Sequence, residues 1–343
     1  MNLYDTMEKQ RSNVLLIVTI AGRSQQPTPF DSANTNDAYA HLSALCAAAN
    51  MNLYITHFDN ILPDSTIFSW IYRDTAWELE ELPISQFSLS YADLPPNEVN
   101  ANRLREMLIA HDVVIVNDLW ISDALTDKVR TYELFPELIP ATIDVADAVG
   151  MARLRELSTH PDLSLEKLIL KPRFGERGKG IEVIDFADLT SARVLNKQDY
   201  IIQPFLESDT GIPELNVQGR HDLRMLVNSG EIIQLFVRVP APNSHISSYA
   251  AGGKIRHFEV DQLPEKFREV ALAVDERLNH FVPRLYSVDV GLGRSGKIWI
   301  YELNTMPGIV WEEEHMADKP KYIRVHKAIT DMLKSCEKVP VAV

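Results

Sequence analysis

Two cysteines are all that this 343-residue chain has for covalent cross-linking, so a disulfide scaffold is excluded. Cys46 lies in the small-residue run Leu45-Cys46-Ala47-Ala48-Ala49 and reads as core filler, while Cys336 stands near the end of the chain. That usage points to a reducing, cytoplasmic setting. Long apolar runs are also missing. The longest early one, Val14 to Ala21, falls short of the ~20 residues of a membrane span. The amino terminus, with Asp5, Glu8, Lys9 and Arg11 ahead of that run, lacks a convincing signal-peptide cleavage site, so no secretory leader is expected. Nor is there an excess of basic residues: the net charge is −14, which speaks against nucleic acid and anionic membrane as partners. The ten histidines are scattered without metal-ligand spacing and read as structural or surface residues. Internal repeats and low-complexity segments are absent.

What is present is ordinary globular composition, 45% hydrophobic and 24% charged, with material for two or three subdomains. Strand and helix patterns alternate. Val14 to Ile20 reads as a buried parallel strand, about Asp37 to Ala49 as a helix capped by Asp37, and Leu53 to Thr56 as the next strand. Residues 98–111 give a helix and Val113 to Val116 another buried strand. These predict a doubly wound α/β domain over residues 1–120, in which ligands collect at the carboxyl ends of strands. The less regular stretch from Asp59 to Asn97, with Trp70 and Trp77, reads as a β insertion.

The strongest local signal is Leu170-Lys171-Pro172-Arg173-Phe174-Gly175-Glu176-Arg177-Gly178-Lys179-Gly180-Ile181. A hydrophobic run delivers Lys171. Three glycines then form a bare loop before a second strand-like run. Glycine lets backbone N–H groups approach an anion without a Cβ in the way, so the loop suits a flap over phosphates. Taken alone, it fits a basic surface hairpin equally well. It is not a Walker A loop, because Lys179 is followed by Gly180 rather than Ser or Thr. A literal G-x-G-x-x-G at Gly291 to Gly296 is no dinucleotide loop either, since Lys297-Ile298-Trp299-Ile300-Tyr301 reads as a strand, not a helix. In so acidic a chain, the clustering of Arg173, Arg177 and Lys179 around the glycines argues for a local anion site.

That second glycine motif is the turn of a hairpin. With the turn at Ser295-Gly296, residues pair when their numbers sum to 591, which sets Asp289 opposite Glu302, and period two puts Asn304 on the face of Glu302. Facing carboxylates repel unless a hard divalent cation joins them. A solvated polar edge is the alternative, but Glu302 and Asn304 interrupt a strand otherwise made of Ile, Trp, Tyr and Leu.

Lys171-Pro172 with the glycine loop, Gln203-Pro204-Phe205-Leu206, Asp222-Leu223-Arg224, Arg238, Gly252-Gly253, Asp289 and Glu302-Leu303-Asn304-Thr305-Met306-Pro307-Gly308 occur in an order that resembles the ATP-grasp superfamily. The likeness is to its glutathione synthetase and glutamate ligase branch, and it covers about residues 120–335. It implies an α/β (α+β in the ligase part) ATP-grasp fold behind the N-terminal domain, with a lid subdomain over 121–201 and a C-terminal subdomain with the metal site over 202–343. It also implies ATP held by Lys128, Lys171, Gly175, Arg177, Gly178, Lys179 and Gly180. Gln203, Pro204, Phe205 and Leu206 form the strand that reads adenine through its backbone. Pro204 keeps the required carbonyl, Leu206 supplies the N–H, and Glu207 takes the ribose. Mg²⁺, or Mn²⁺, sits on Asp289, Glu302 and Asn304. Lys128, on a helix capped by Ser122 or Asp123, fits a solvated lysine as well. The Ser247 to Gly253 loop carries Ser248 where an asparagine is usual.

Arg224 and Arg238 present planar forks suited to a transferred phosphate or a substrate carboxylate, with a local Asp222–Arg224 ion pair as the alternative. The chemistry implied is an ATP-dependent ligase. An acid attacks the γ-phosphate to give an acyl phosphate, and an amine then attacks that carbonyl, with Lys171, Arg224 and Arg238 as the fixed cations. The expected partners are a small-molecule or peptide carboxylate and an amine acceptor, with a homodimer as the default assembly. Two other classes stay open: a kinase on the same scaffold, and a nucleotide-binding regulator without turnover. Trp311-Glu312-Glu313-Glu314 fits either a lure for a cationic amine or a solvated helix start.

Overall fold

The computed structural model describes residues 11–23, 26–175, 178–241, 253–311 and 313–337. The chain divides into two compact units. One joins Met1–Leu119 to Gly308–Val343, and the other is Trp120–Pro307.

In the first unit, β1 (Ser12–Ile17), α1 (Ala33–Ala48), β2 (Met51–Thr56), β3 (Thr66–Arg73), β4 (Ala76–Pro83), β5 (Leu89–Ala92), α2 (Val99–Ala110) and β6 (Val114–Val116) follow in order. The sheet runs β4-β3-β2-β1-β5-β6. Strands β2, β1, β5 and β6 are parallel, and β3–β4 is an antiparallel hairpin on one side. The doubly wound reading holds. Two details differ. α1 begins four residues earlier than expected, because Ser32 rather than Asp37 accepts from Thr35 N as the cap. The segment 59–97 is also not wholly an insertion: Leu89–Ala92 is a central strand, too short to show a periodicity.

The second unit opens with α3 (Leu119–Thr126), α4 (Lys128–Leu134), β7 (Ile143–Asp144), α5 (Ala148–Leu157), β8 (Leu163–Pro172), β9 (Glu182–Asp185), α6 (Ala192–Leu195) and β10 (Tyr200–Leu206). It continues with β11 (Asp222–Asn228), β12 (Glu231–Val239), β13 (Lys254–Phe258), α7 (Glu265–Leu278), β14 (Leu285–Leu292) and β15 (Ile298–Asn304). A four-stranded sheet, β7-β10-β8-β9, packs one face on Ile143, Leu154, Leu168, Leu170, Ile184 and Ile202. The expected boundary at 201 therefore cuts through β10. A five-stranded sheet, β13-β12-β11-β14-β15, buries Met225, Leu235, Val288, Val290, Ile300 and Leu303 on one face against Phe267, Ala271 and Val274 of α7. Its other face carries the polar residues.

The last helix, α8 (Lys319–Cys336), belongs to the first unit and not to the second, contrary to the expected 202–343 subdomain. Its apolar face, with Tyr322, Val325, Ile329 and Leu333 buried, lies along α1, where Ala38, Trp311 and Tyr322 form a small cluster. Among the described residues no helix is long and apolar enough to cross a membrane.

Candidate active site

The β14–β15 hairpin sets Asp289 opposite Glu302 and Ser287 opposite Asn304, as the sum of 591 requires. It does so by a route the sequence hides. Nearer the turn, Gly291 pairs with Trp299 and Leu292 with Ile298, one residue out of that register, and Tyr301 is the extra residue of a bulge. The bulge also switches faces. Ile298 and Ile300 join the core together with Leu303, whereas Trp299 and Tyr301 lie in a separate cluster with Leu163 and Leu206. Without it, Glu302 would share the core-facing side of Ile298 and Ile300.

Asp289 is 1% exposed and is not left facing Glu302 alone. Its Oδ1 accepts from Arg224 Nε at 2.6 Å, and its Oδ2 accepts from Arg224 Nη2 at 2.5 Å and from Arg238 Nη2 at 2.6 Å. Arg238 also donates to Asp222 Oδ2 at 2.5 Å, so the alternative of a local Asp222–Arg224 pair gives way to a cross-strand Asp222–Arg238 pair. The repulsion between carboxylates is thus relieved by two guanidinium groups. Burial works to raise the Asp289 carboxyl, but Arg224 and Arg238 outweigh it and hold it below the usual range. Asp222 goes the other way, to about 7, because burial dominates and its Oδ1 has no hydrogen-bond partner among the described residues.

Two lysines reach β15 from the other sheet and from α4. Lys171, at the end of β8, is 8% exposed and donates to the Tyr301 carbonyl at 3.3 Å. Burial and the neighbouring Lys128 lower it to about 8, against the pull of Glu302. Lys128 Nζ lies 3.5 Å from Glu302 Oε1 and donates to the Gly175 carbonyl at 2.8 Å, so it is drawn into the site rather than solvated. Its cap is Asp127, whose side chain accepts from Val129 N; Ser122 and Asp123 lie within α3. Asp127 also takes a two-point contact from Arg173, at 2.9 Å and 2.7 Å, and Arg173 reaches Asp144 at 2.6 Å. Arg173 is therefore a strut that pins the glycine loop to the start of α4, and its charge is offset within the protein. Sequence reasoning missed that role. The signal available was the Asp-Lys pair at 127–128, which places a cap beside Lys128.

In the loop itself Gly175, Gly178 and Gly180 have φ of 140°, 71° and 74°. A Cβ at Gly180 would come within 2.8 Å of the Tyr200 hydroxyl, so both space and conformation require glycine there. Lys179 is exposed. Arg177 and the Ser247–Gly252 stretch, like Glu312, lie outside the described residues.

The edge of β10 has the alternation its expected role demands. The Tyr200 carbonyl accepts from Val145 N, on the β7 side, while Glu207 N donates to Asp162 O, on the β8 side. Period two then directs the Pro204 carbonyl and the Leu206 N–H to the β7 side, and β7, antiparallel to β10, starts only at Ile143, opposite Ile202. Proline costs no ladder bond at such an open edge. Gln203 is buried and donates to Thr142 Oγ1 at 2.7 Å, and Phe205 is buried too, so these two support the strand. Glu207 lies 3.2 Å from Arg294, which also holds Asp209.

Among the described residues no three histidine, cysteine, aspartate or glutamate side chains converge as a metal site. The oxygen donors present are the carboxylates of Asp289 and Glu302 and the amide of Asn304, whose Nδ2 is buried with no partner among the described residues.

A glycine-loop sheet and a five-stranded sheet, with Lys171 of the first reaching the Tyr301 carbonyl of the second and Lys128 of α4 reaching Glu302, is the ATP-grasp arrangement, and the chain has the ATP-grasp fold. More particularly, residues 185–334 match the family described as YheC/D like ATP-grasp. A glutathione synthetase of Agrobacterium fabrum is 25% identical over 186 residues, 52% of this chain and 53% of that protein. The endospore coat-associated protein YheD of Bacillus subtilis is 20% identical over 288 residues, 71% of this chain and 62% of that protein. The chain thus spans little more than half the length of these relatives. Among solved structures, a RiPP-associated ATP-grasp ligase of Chryseobacterium gregarium superposes with a TM-score of 0.59 at 14% identity, over 96% of this chain and 98% of that one. The D-alanyl-alanine synthetase A of Vibrio cholerae gives 0.58 at 13%, over 94% and 99%.

Proposed function

We propose that the chain is an ATP-dependent, Mg²⁺-requiring carboxylate–amine ligase acting on an amino acid or peptide, in a reducing cytoplasm. The observation that carries this reading is the cross-strand row Glu302–Asp289–Arg224, met at its Glu302 end by Lys128 and near Tyr301 by Lys171. It brings fixed cations and hard oxygen ligands to one place beside a glycine loop. Carboxylate and amide oxygens are suited to Mg²⁺ or Mn²⁺, and Asp289, Glu302 and Asn304 would hold it through their side-chain oxygens. The ion supplies charge neutralisation across the phosphates.

The residues do the rest by position. Lys128, Lys171, Gly175, Arg177, Gly178, Lys179 and Gly180 take the phosphates, and the Pro204 carbonyl and Leu206 N–H take adenine, backed by Gln203 and Phe205. Glu207 takes the ribose. Asp289 would be one of the residues that hold the cation, and Arg224 and Arg238, which neutralise its carboxylate in this structure, would serve the transferred phosphoryl group and the substrate carboxylate as fixed cations. An amine then attacks the acyl carbonyl, the C–O bond to phosphate breaks and inorganic phosphate leaves, while a closed glycine loop would keep water out.

The test is ADP release with single amino acids and short peptides offered as acid and amine, coupled to mass spectrometry. ADP formation that needs both components, with a new amide, supports the ligase. ADP release with the acid or an alcohol alone would make the protein a kinase, and binding without ADP would make it a regulator.

A further inference from the structure

The row that ends at Glu302 starts on the far edge of the same sheet. His257, Phe236, Arg224, Asp289 and Glu302 are successive direct partners, one from each of β13, β12, β11, β14 and β15. Direct cross-strand partners share a face, so the imidazole and both carboxylates lie on one surface. The His257 and Phe236 rings are 5.1 Å apart, and the guanidinium carbons of Arg224 and Arg238 are 5.8 Å and 5.9 Å from the Phe236 ring. Phe236 is 7% exposed and His257 is half-buried. Beside them, Ile255 pairs with Arg238 on the same face, while Lys254, Arg256 and Phe258 point to the other.

The lysines fix the direction of the row. Lys128 and Lys171 both arrive at β15, so the phosphate-binding cations cover that end, and the β12–β13 end lies beyond the arginines. At about 4.8 Å per strand, an amine seated over Phe236 stands roughly one strand from an acyl group held at Arg224 and one strand from His257. An amine enters at neutral pH as an ammonium ion, with no lone pair to attack with, and imidazole is the side chain suited to relieve it of a proton there.

Resting on the ligase reading, we propose that His257 accepts the proton of the acceptor ammonium, with Phe236 as the apolar floor beneath the acceptor. The step balances. The ammonium N–H bond breaks, its proton goes to His257, and its electron pair stays on nitrogen. That pair forms the C–N bond as the acyl C–O bond to phosphate breaks. The second proton leaves with inorganic phosphate, and His257 returns its own to water.

Hydroxylamine separates this role from a structural one, because its nitrogen is already unprotonated at neutral pH. Wild-type protein with ATP, Mg²⁺ and each amino acid as acid is assayed for hydroxamate, and the acid that responds is then assayed with amino acids as amines. His257→Ala is expected to lower amine-dependent amide formation by roughly 100-fold or more. Hydroxamate formation should fall by less than a tenth of that factor, and added imidazole should restore the amine reaction in part. Equal loss in both assays with no rescue, or undiminished amide formation, overturns the role of His257. Absence of hydroxamate from the wild-type protein with every acid overturns instead the ligase reading beneath it.

Discussion

Replacing Asp289 by asparagine leaves Arg224 and Arg238 around a neutral amide in a buried site, whereas Glu302, its side chain 26% exposed, has a longer ion pair, with Lys128 at 3.5 Å. Removing one partner of a buried pair costs about 3–5 kcal/mol, and a long, partly exposed pair contributes less. Asp289→Asn is therefore expected to shift the urea midpoint sharply, and Glu302→Gln by much less. Both are expected to abolish Mg²⁺-dependent ADP formation. Full activity in Glu302→Gln would remove that residue from the metal site. The facing of Asp289 and Glu302 follows from a sum of 591, which the strands keep only beyond the bulge; the register next to the turn is 590, and carried on it would set Tyr301 opposite Asp289. The arginine partners of Asp289 were not legible in the sequence, since they come from β11 and β12, and no local pattern says which strand lies beside β14. Arg173 was misread for the same reason: its partners Asp127 and Asp144 stand 46 and 29 residues away.

Elements show a similar division. Long strands and amphipathic helices were visible, and so was the hairpin nature of the second glycine motif. The bulge at Tyr301 and the short strand β5 were not, because each is a matter of one or a few residues whose pattern depends on neighbours. The docking of α8 on α1 was equally hidden, and at its centre is a histidine pair. His326 Nε2 donates to the Ile309 carbonyl at 2.8 Å, leaving its Nδ1 to accept from His41 Nδ1 at 2.9 Å. Burial, and to a lesser extent His41, lower His326 to about 4, while His41 is itself lowered by burial and by Lys319. A histidine lowered in the folded state binds fewer protons than in the unfolded chain. Its contribution is thus present above pH 6.5 and is lost as the pH falls from 6.5 to about 4, by about 3 kcal/mol at full extent. Urea denaturation across that window is expected to show a steeper loss for the wild type than for His326→Gln. That variant is expected to be weaker by about 1–3 kcal/mol at pH 7.5, where the buried pair is broken. Parallel slopes for the two proteins would contradict the assignment.

At the scale of the whole molecule the chain leaves its first unit after Leu119, builds the second, and returns at Gly308. The second unit has cores of its own, one under each of its sheets. Every residue proposed to hold nucleotide or metal, from Lys128 to Asn304, lies within Trp120–Pro307. A segment with its own cores and its own ion pairs does not depend on distant sequence for its geometry. A fragment spanning residues 120–307 is accordingly expected to fold cooperatively and to bind Mg²⁺-ATP within about tenfold of the intact chain, a difference of about 1.4 kcal/mol. Titration calorimetry with a non-hydrolysable ATP analogue checks this. A folded fragment that binds far more weakly would mean that residues before 120 or after 307 complete the nucleotide site, and the residue assignment would have to be extended to them.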